Sequence, residues 1–192
     1  MSVRLRQLSA LEAVLWLVLL GGSLCLIGAC RAPQPEYRPT ATVKDIMDSI
    51  VDPSADVLWE AVATTISAAG TEQRAPQTDE EWVNLRRRTV QLIEATNLLL
   101  IPGRHVARPG EKAEDPKIQL GPEQIETLIN EDRQQWTSRA HGLHDAALVA
   151  QQAIEARNAE ALLDAGDVLD KACENCHITY WYPRKPAAAP SR

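Results

Sequence analysis

The chain has 192 residues, 45% of them apolar and only 4% aromatic, which suits one compact core and excludes a disordered or mucin-like polypeptide. With 20 Lys and Arg against 26 Asp and Glu the formal charge is −6, so the basic surface that nucleic acid demands is missing and no nucleic-acid partner is expected. Ala, Leu, Glu and Gln fill long stretches while β-branched and aromatic residues are sparse, so an all-α domain is expected.

Arg4 and Arg6 precede an apolar stretch over 11–27, interrupted by Glu12 and by Gly21-Gly22-Ser23. The stretch reads as a secretory signal over residues 1–29, a permanent N-terminal membrane anchor being the alternative. Leu26-Ile27-Gly28-Ala29-Cys30 resembles the lipobox of bacterial lipoproteins, in which the Cys is lipidated and becomes the new N-terminus. That resemblance implies lipidation at Cys30, a domain on the periplasmic side, and stable anchoring to a bacterial membrane by two or more acyl chains. Losing Arg4, Arg6 and Glu12 from the 20 basic and 26 acidic residues leaves 18 against 25, a net −7. Of the two Met and four Cys residues, the mature domain then keeps Met47, Cys173 and Cys176.

Cys30 opens a linker over 30–41, where three prolines in nine positions at 31–39 predict an extended tether. The domain follows over 42–182, with a disordered tail expected at 183–192. A first helical pattern runs from about 42 to 69: Val43, Ile46, Met47, Ile50, Leu58, Ala61, Val62 and Ile66 recur at three- and four-residue spacing. Thr42 and Asp45 offer a capping box, and Pro53 is expected to kink this helix. A second pattern starts at the capping box Thr78-Asp79-Glu80-Glu81 and runs through Trp82, Leu85, Thr89, Leu92, Ile93 and Leu99 until Pro102-Gly103. After a polar loop, Pro122 opens a third pattern lasting to about 157, with a break expected near Asn130. The fourth is capped by Asn158 and carries Leu162, Leu169, Cys173, Cys176, His177 and Tyr180 along one stripe up to Pro183. Four amphipathic helices with mostly short connections predict an antiparallel up-down-up-down four-helix bundle. No internal repeat is found.

Cys173-Glu174-Asn175-Cys176-His177 is a C-x-x-C-H sequence, which in an exported chain reads as covalent attachment of haem c. Offsets of three and four residues return to one helix face, so the two thiols and His177 point at a common surface, where His177 can ligate iron. The alternatives are a disulfide or zinc pair with a bystander His, and a thioredoxin-like dithiol. Zinc would need further ligands, and a thioredoxin-like site belongs at a helix start after a strand, whereas this one lies near a helix end in a chain read as strandless.

These residues resemble the cytochrome c-prime family of four-helix haem proteins. The resemblance rests on Cys173-Glu174-Asn175-Cys176-His177-Ile178-Thr179-Tyr180 at the end of the last helix, together with the four-helix pattern. Within that family the chain is similar to a bacterial lipoprotein branch through Met47, Asp52-Pro53-Ser54-Ala55-Asp56-Val57-Leu58-Trp59, Ala75-Pro76-Gln77-Thr78-Asp79-Glu80-Glu81-Trp82, Asn97-Leu98-Leu99, Pro102-Gly103-Arg104 and Tyr180-Trp181-Tyr182-Pro183. It departs from the family in an insertion over 108–120, and in Trp181 where a basic residue often follows the Tyr, which leaves the usual haem-propionate contact in question.

A sixth iron ligand would favour electron transfer and an open site would favour gas binding. In an up-down-up-down bundle the start of the first helix and the end of the last share one end. Met47, about five residues from one terminus, and His177, about three from the other, then differ in height by only a few Å at ~1.5 Å per residue. Met47 is the expected sixth ligand, its alternative being core filler. The resemblance agrees, because low-spin relatives carry a Met on the first helix where gas-binding members carry a bulky apolar residue. His105 is expected at the surface or as a propionate partner. His141 and His144 are expected to lie too far up a helix continuous from Pro122 to reach the iron. Arg86-Arg87-Arg88 reads as a solvated face, with docking of an acidic partner as the alternative, and Trp59, Trp82 and Trp136 as core or haem-packing residues. The sequence therefore predicts a monohaem electron carrier with unidentified redox partner proteins and room for a homodimer, not an enzyme, since no paired acid and base groups are seen. The alternatives are a five-coordinate protein binding nitric oxide or carbon monoxide, and a structural lipoprotein with vestigial haem.

Overall fold

The computed structural model describes residues 36–68 and 70–182, all but Glu36 within the unit Tyr37–Arg192. The signal over 1–29, Cys30 with most of its tether, and the tail 183–192 lie outside the described residues. The protein is mostly helical. Helix α1, Val43–Ile46, starts at Thr42, whose Oγ1 accepts from the Asp45 amide at 3.0 Å while the Asp45 carboxylate accepts from the Thr42 amide at 3.0 Å. The chain passes without a break through a π-helical turn, Met47–Val51, into α2, Asp52–Ala61. Pro53 explains the turn: its ring lacks an N–H and crowds the carbonyl four residues back, and the wider spiral, with the Asp52 amide donating to the Met47 carbonyl, absorbs that crowding. The expected kink is thus a local widening.

The first helix ends at Ala61, eight residues earlier than its periodicity predicts. Strand β1, Ala63–Ser67, pairs antiparallel with β2, Gly70–Arg74, in the register Ala63↔Arg74 to Ser67↔Gly70. Thr64, Thr65 and Ile66 are β-branched and favour extended backbone, and Gly70 adopts a positive φ of 129° that other residues rarely take. The domain is therefore not strandless, although the hairpin is distant in sequence from the C-x-x-C-H segment.

Helix α3, Asp79–Leu99, begins at the expected capping box, with Thr78 Oγ1 accepting from the Glu81 amide and Glu81 accepting from the Thr78 amide at 2.8 Å. The third pattern splits into α4, Pro122–Glu131, and α5, Arg133–Glu155. The break falls at Asp132, whose carboxylate caps the new helix by accepting from the Gln135 amide at 2.8 Å. Helix α6, Ala159–Tyr180, is capped by Asn158 as expected. Helix α5 packs against both α3 and α6, and α2 packs against α3 and α6, around a core that includes Ile46, Leu58, Leu92, Ile125, Leu162 and Leu169. Ala147 and Ala150, fully buried on α5, leave no side-chain bulk to hold its neighbours apart.

Candidate functional site

The loop 100–121, which contains the 108–120 insertion, is fastened to the first helix by backbone bonds. The amides of Val43 and Lys44 donate to the carbonyls of His105 and Val106 at 2.9 Å, supplying acceptors to a helix start that has none of its own. Val106 is buried, its amide donating to the Glu126 carboxylate on α4 at 3.2 Å. The Arg104 guanidinium donates to the Ala41 and Leu98 carbonyls. The Arg108 guanidinium meets Asp45 at 2.7 Å, and the Leu120 amide donates to the Trp181 carbonyl at 3.1 Å. The insertion therefore bridges the start of α1 and the end of α6.

Between those two termini lies a cleft. Its outer hollow has a volume of about 190 Å³, is partly open to solvent, and takes Met47 and Asp52 from the first helix, Glu114 and Gln119 from the insertion, and Cys176 and His177 from α6. A tighter inner hollow of about 20 Å³ shares Met47, Asp52, Cys176 and His177 and adds Cys173. Cys173, Cys176 and His177 are half-buried while Glu174 and Asn175 between them are exposed, as one helix face requires. Met47 is half-buried opposite them at the first position of the π-helical turn. The expected residues are thus brought to one place.

Both thiols are free. Burial pushes the Cys173 thiol up to about 11 and the Cys176 thiol up to about 12, so both stay protonated at neutral pH. That is the reverse of an activated dithiol, whose nucleophilic thiol is pushed down. Among the described residues no three His, Cys, Asp or Glu groups are placed to hold a metal ion, so the pair lacks the companions of a tetrahedral zinc site.

Two polar atoms at this site have no hydrogen-bond partner although they are buried: Arg139 Nε and Tyr180 Oη. Such atoms are costly to leave unpaired, so their presence around a cleft fits a ligand that carries polar groups as well as an apolar body. Haem, with apolar ring and carboxylate-bearing edge, meets both demands: two thiols suit attachment to its ring, and one imidazole and one thioether suit its iron.

Trp136 lines both hollows, donating from Nε1 to the Leu99 carbonyl at 3.1 Å and meeting Tyr180 edge-on at 5.2 Å. Trp181, where a basic residue was looked for, packs instead beside His177 at 6.5 Å, as does Tyr182. Trp82 is core, while Trp59 is exposed and donates to the Gly166 carbonyl. Arg86 and Arg87 are exposed and Arg88 half-buried. His105 is on the surface, its side chain 74% exposed and 3.0 Å from Glu126, away from the cleft.

His141 and His144 stay out of the cleft for a different reason from the one expected. The break at Asp132 restarts the count, so they lie two to three turns into α5, level with Ala140 and Leu143, which line the inner hollow. Their helix face excludes them, not their height. Sequence reasoning missed Arg139 and Asp52. The signal for Arg139 was there to read: a charged residue inside the stripe Trp136, Ala140, Leu143. Comparison of the chain with family models, with curated proteins and with solved structures finds no match.

Proposed function

We propose that the chain is a monohaem c-type cytochrome, held on the periplasmic side of a bacterial membrane by a lipid on Cys30, that carries single electrons between protein partners. One observation carries the proposal: Met47, Cys173, Cys176 and His177 line one partly buried cleft. Haem c supplies a one-electron iron couple when bound. Cys173 and Cys176 would hold it by thioether bonds, with His177 as proximal ligand and Met47 as sixth ligand. Trp136, Tyr180 and Trp181 give the cleft an apolar lining, and the insertion contributes Glu114 and Gln119 to it.

The helix over 43–61 with α3, α5 and α6 would form an antiparallel up-down-up-down four-helix bundle, an arrangement supported by the packing of α2 and of α5 each against α3 and α6. In that arrangement the resemblance to the cytochrome c-prime family extends from the motif to the whole domain.

Two measurements test the proposal. Haem should stay with the wild-type chain through denaturing electrophoresis and be lost from Cys173→Ala/Cys176→Ala; haem surviving in the double variant overturns covalent attachment. The ferric visible spectrum should be low-spin with a weak far-red band from sulfur–iron coordination. A high-spin spectrum would instead assign an open site for nitric oxide or carbon monoxide.

A further inference from the structure

Arg139 stands in an apolar stripe of α5, between Trp136 and Leu143, where a charge needs a reason. Its Nε is buried without a hydrogen-bond partner, and no carboxylate among the described residues pairs with its guanidinium. It lines the inner hollow beside Cys173, Cys176 and His177 and reaches the groove between α5 and α6 on the other side. A guanidinium stays protonated at every ordinary pH, and in a partly dry setting its field is screened far less than in water. Asp52 is the one carboxylate among the residues lining the same hollow and carries the opposing charge there.

We propose that Arg139 is a tuning charge for the redox group at Cys173, Cys176 and His177, raising its reduction potential. The inference rests on the haem reading of the cleft. A fixed positive charge favours the state of the site that carries one electron more, and Arg139 would supply that charge. Removing the charge shifts the balance towards the oxidised state.

The test compares the full chain, matured with its haem, with Arg139→Gln, which removes the charge but keeps a polar side chain, and Arg139→Lys, which keeps the charge but loses the Nε donor. Haem staining after denaturing electrophoresis comes first: a wild-type chain without covalent haem overturns the haem reading, and the proposal with it. With haem present, the midpoint potential decides. Arg139→Gln should change the oxidised-to-reduced ratio at fixed ambient potential by about tenfold, which is ~59 mV for one electron, in the direction of a lower potential. Arg139→Lys should stay within about threefold of the wild type. A merely structural Arg139 would lower the thermal midpoint and leave the potential in place. A potential in Arg139→Gln within about threefold of the wild type, or an equal drop in Gln and Lys, overturns the proposal. If Arg139→Gln does not mature, Arg139→Met takes its place with the same two outcomes.

Discussion

Met47 occupies the first position of the π-helical turn, where the backbone is already widened to accommodate Pro53, and it faces Cys176 and His177 across the cleft. Met47→Leu keeps the approximate volume, so it should cost less than ~1.5 kcal/mol of stability in urea unfolding. On the proposed reading its effect falls on the iron: the spectrum turns high-spin, the potential drops with loss of the thioether, and the reduced form binds carbon monoxide. A variant that stays low-spin and unresponsive to carbon monoxide would make Met47 core filler. A second residue gives a pH signature. The Thr42 amide first, then the Arg108 guanidinium, hold the Asp45 carboxyl down at about 2, against 3.8 ordinarily. Folded Asp45 therefore binds protons more weakly than unfolded Asp45, so its stabilisation is complete above about pH 4 and is lost as pH falls through 2. Asp45→Asn should flatten the fall of the thermal midpoint between pH 4 and 2; an unchanged slope would show that this clamp does not titrate there.

At the scale of elements, caps decided what could be read in advance. Helix α3 was legible because Thr78 and Glu81 satisfy each other's amides, and Thr78→Ala should remove about 1 kcal/mol, measured as a lower urea midpoint at unchanged slope. Helix α6 was legible through Asn158, and with it the common face of Cys173, Cys176 and His177, because spacing alone fixes a helix face. The hairpin was not: Ile66 continued a helical spacing, and only the β-branched run Thr64-Thr65-Ile66 argued against it. Helical period and strand propensity conflict over such a short segment, and tertiary context settles it. The break at Asp132 was placed two residues early, which matters more than its size suggests. A height counted from Pro122 put His141 and His144 far from the cleft, when a count from Arg133 puts them level with it and leaves helix face as the deciding variable.

Across the whole molecule, the insertion connects elements far apart in sequence. Arg108 holds Asp45, Val106 fills the core beneath α1, and Leu120 is bonded to Trp181, so one loop ties the start of the first helix to the end of the last at the cleft. Nothing in the local sequence announces these bonds, because both acceptors, the Asp45 carboxylate and the Trp181 carbonyl, are remote along the chain. The compact unit begins at Tyr37, within the proline-rich linker, and none of the cleft residues lies before Val43. No described helix is long and apolar enough to cross a membrane. On the proposed reading the lipid on Cys30 attaches the chain once the signal is removed. Cys30→Ala, expressed behind a cleavable secretory signal without a lipobox, should therefore move the protein from the membrane to the soluble periplasmic fraction. Its haem spectrum and thermal midpoint should match the wild type, since the residues that line the cleft all lie at or beyond Val43. Membrane retention of this variant would place the anchor elsewhere in the chain, and a changed spectrum would show that the tether contributes to the site.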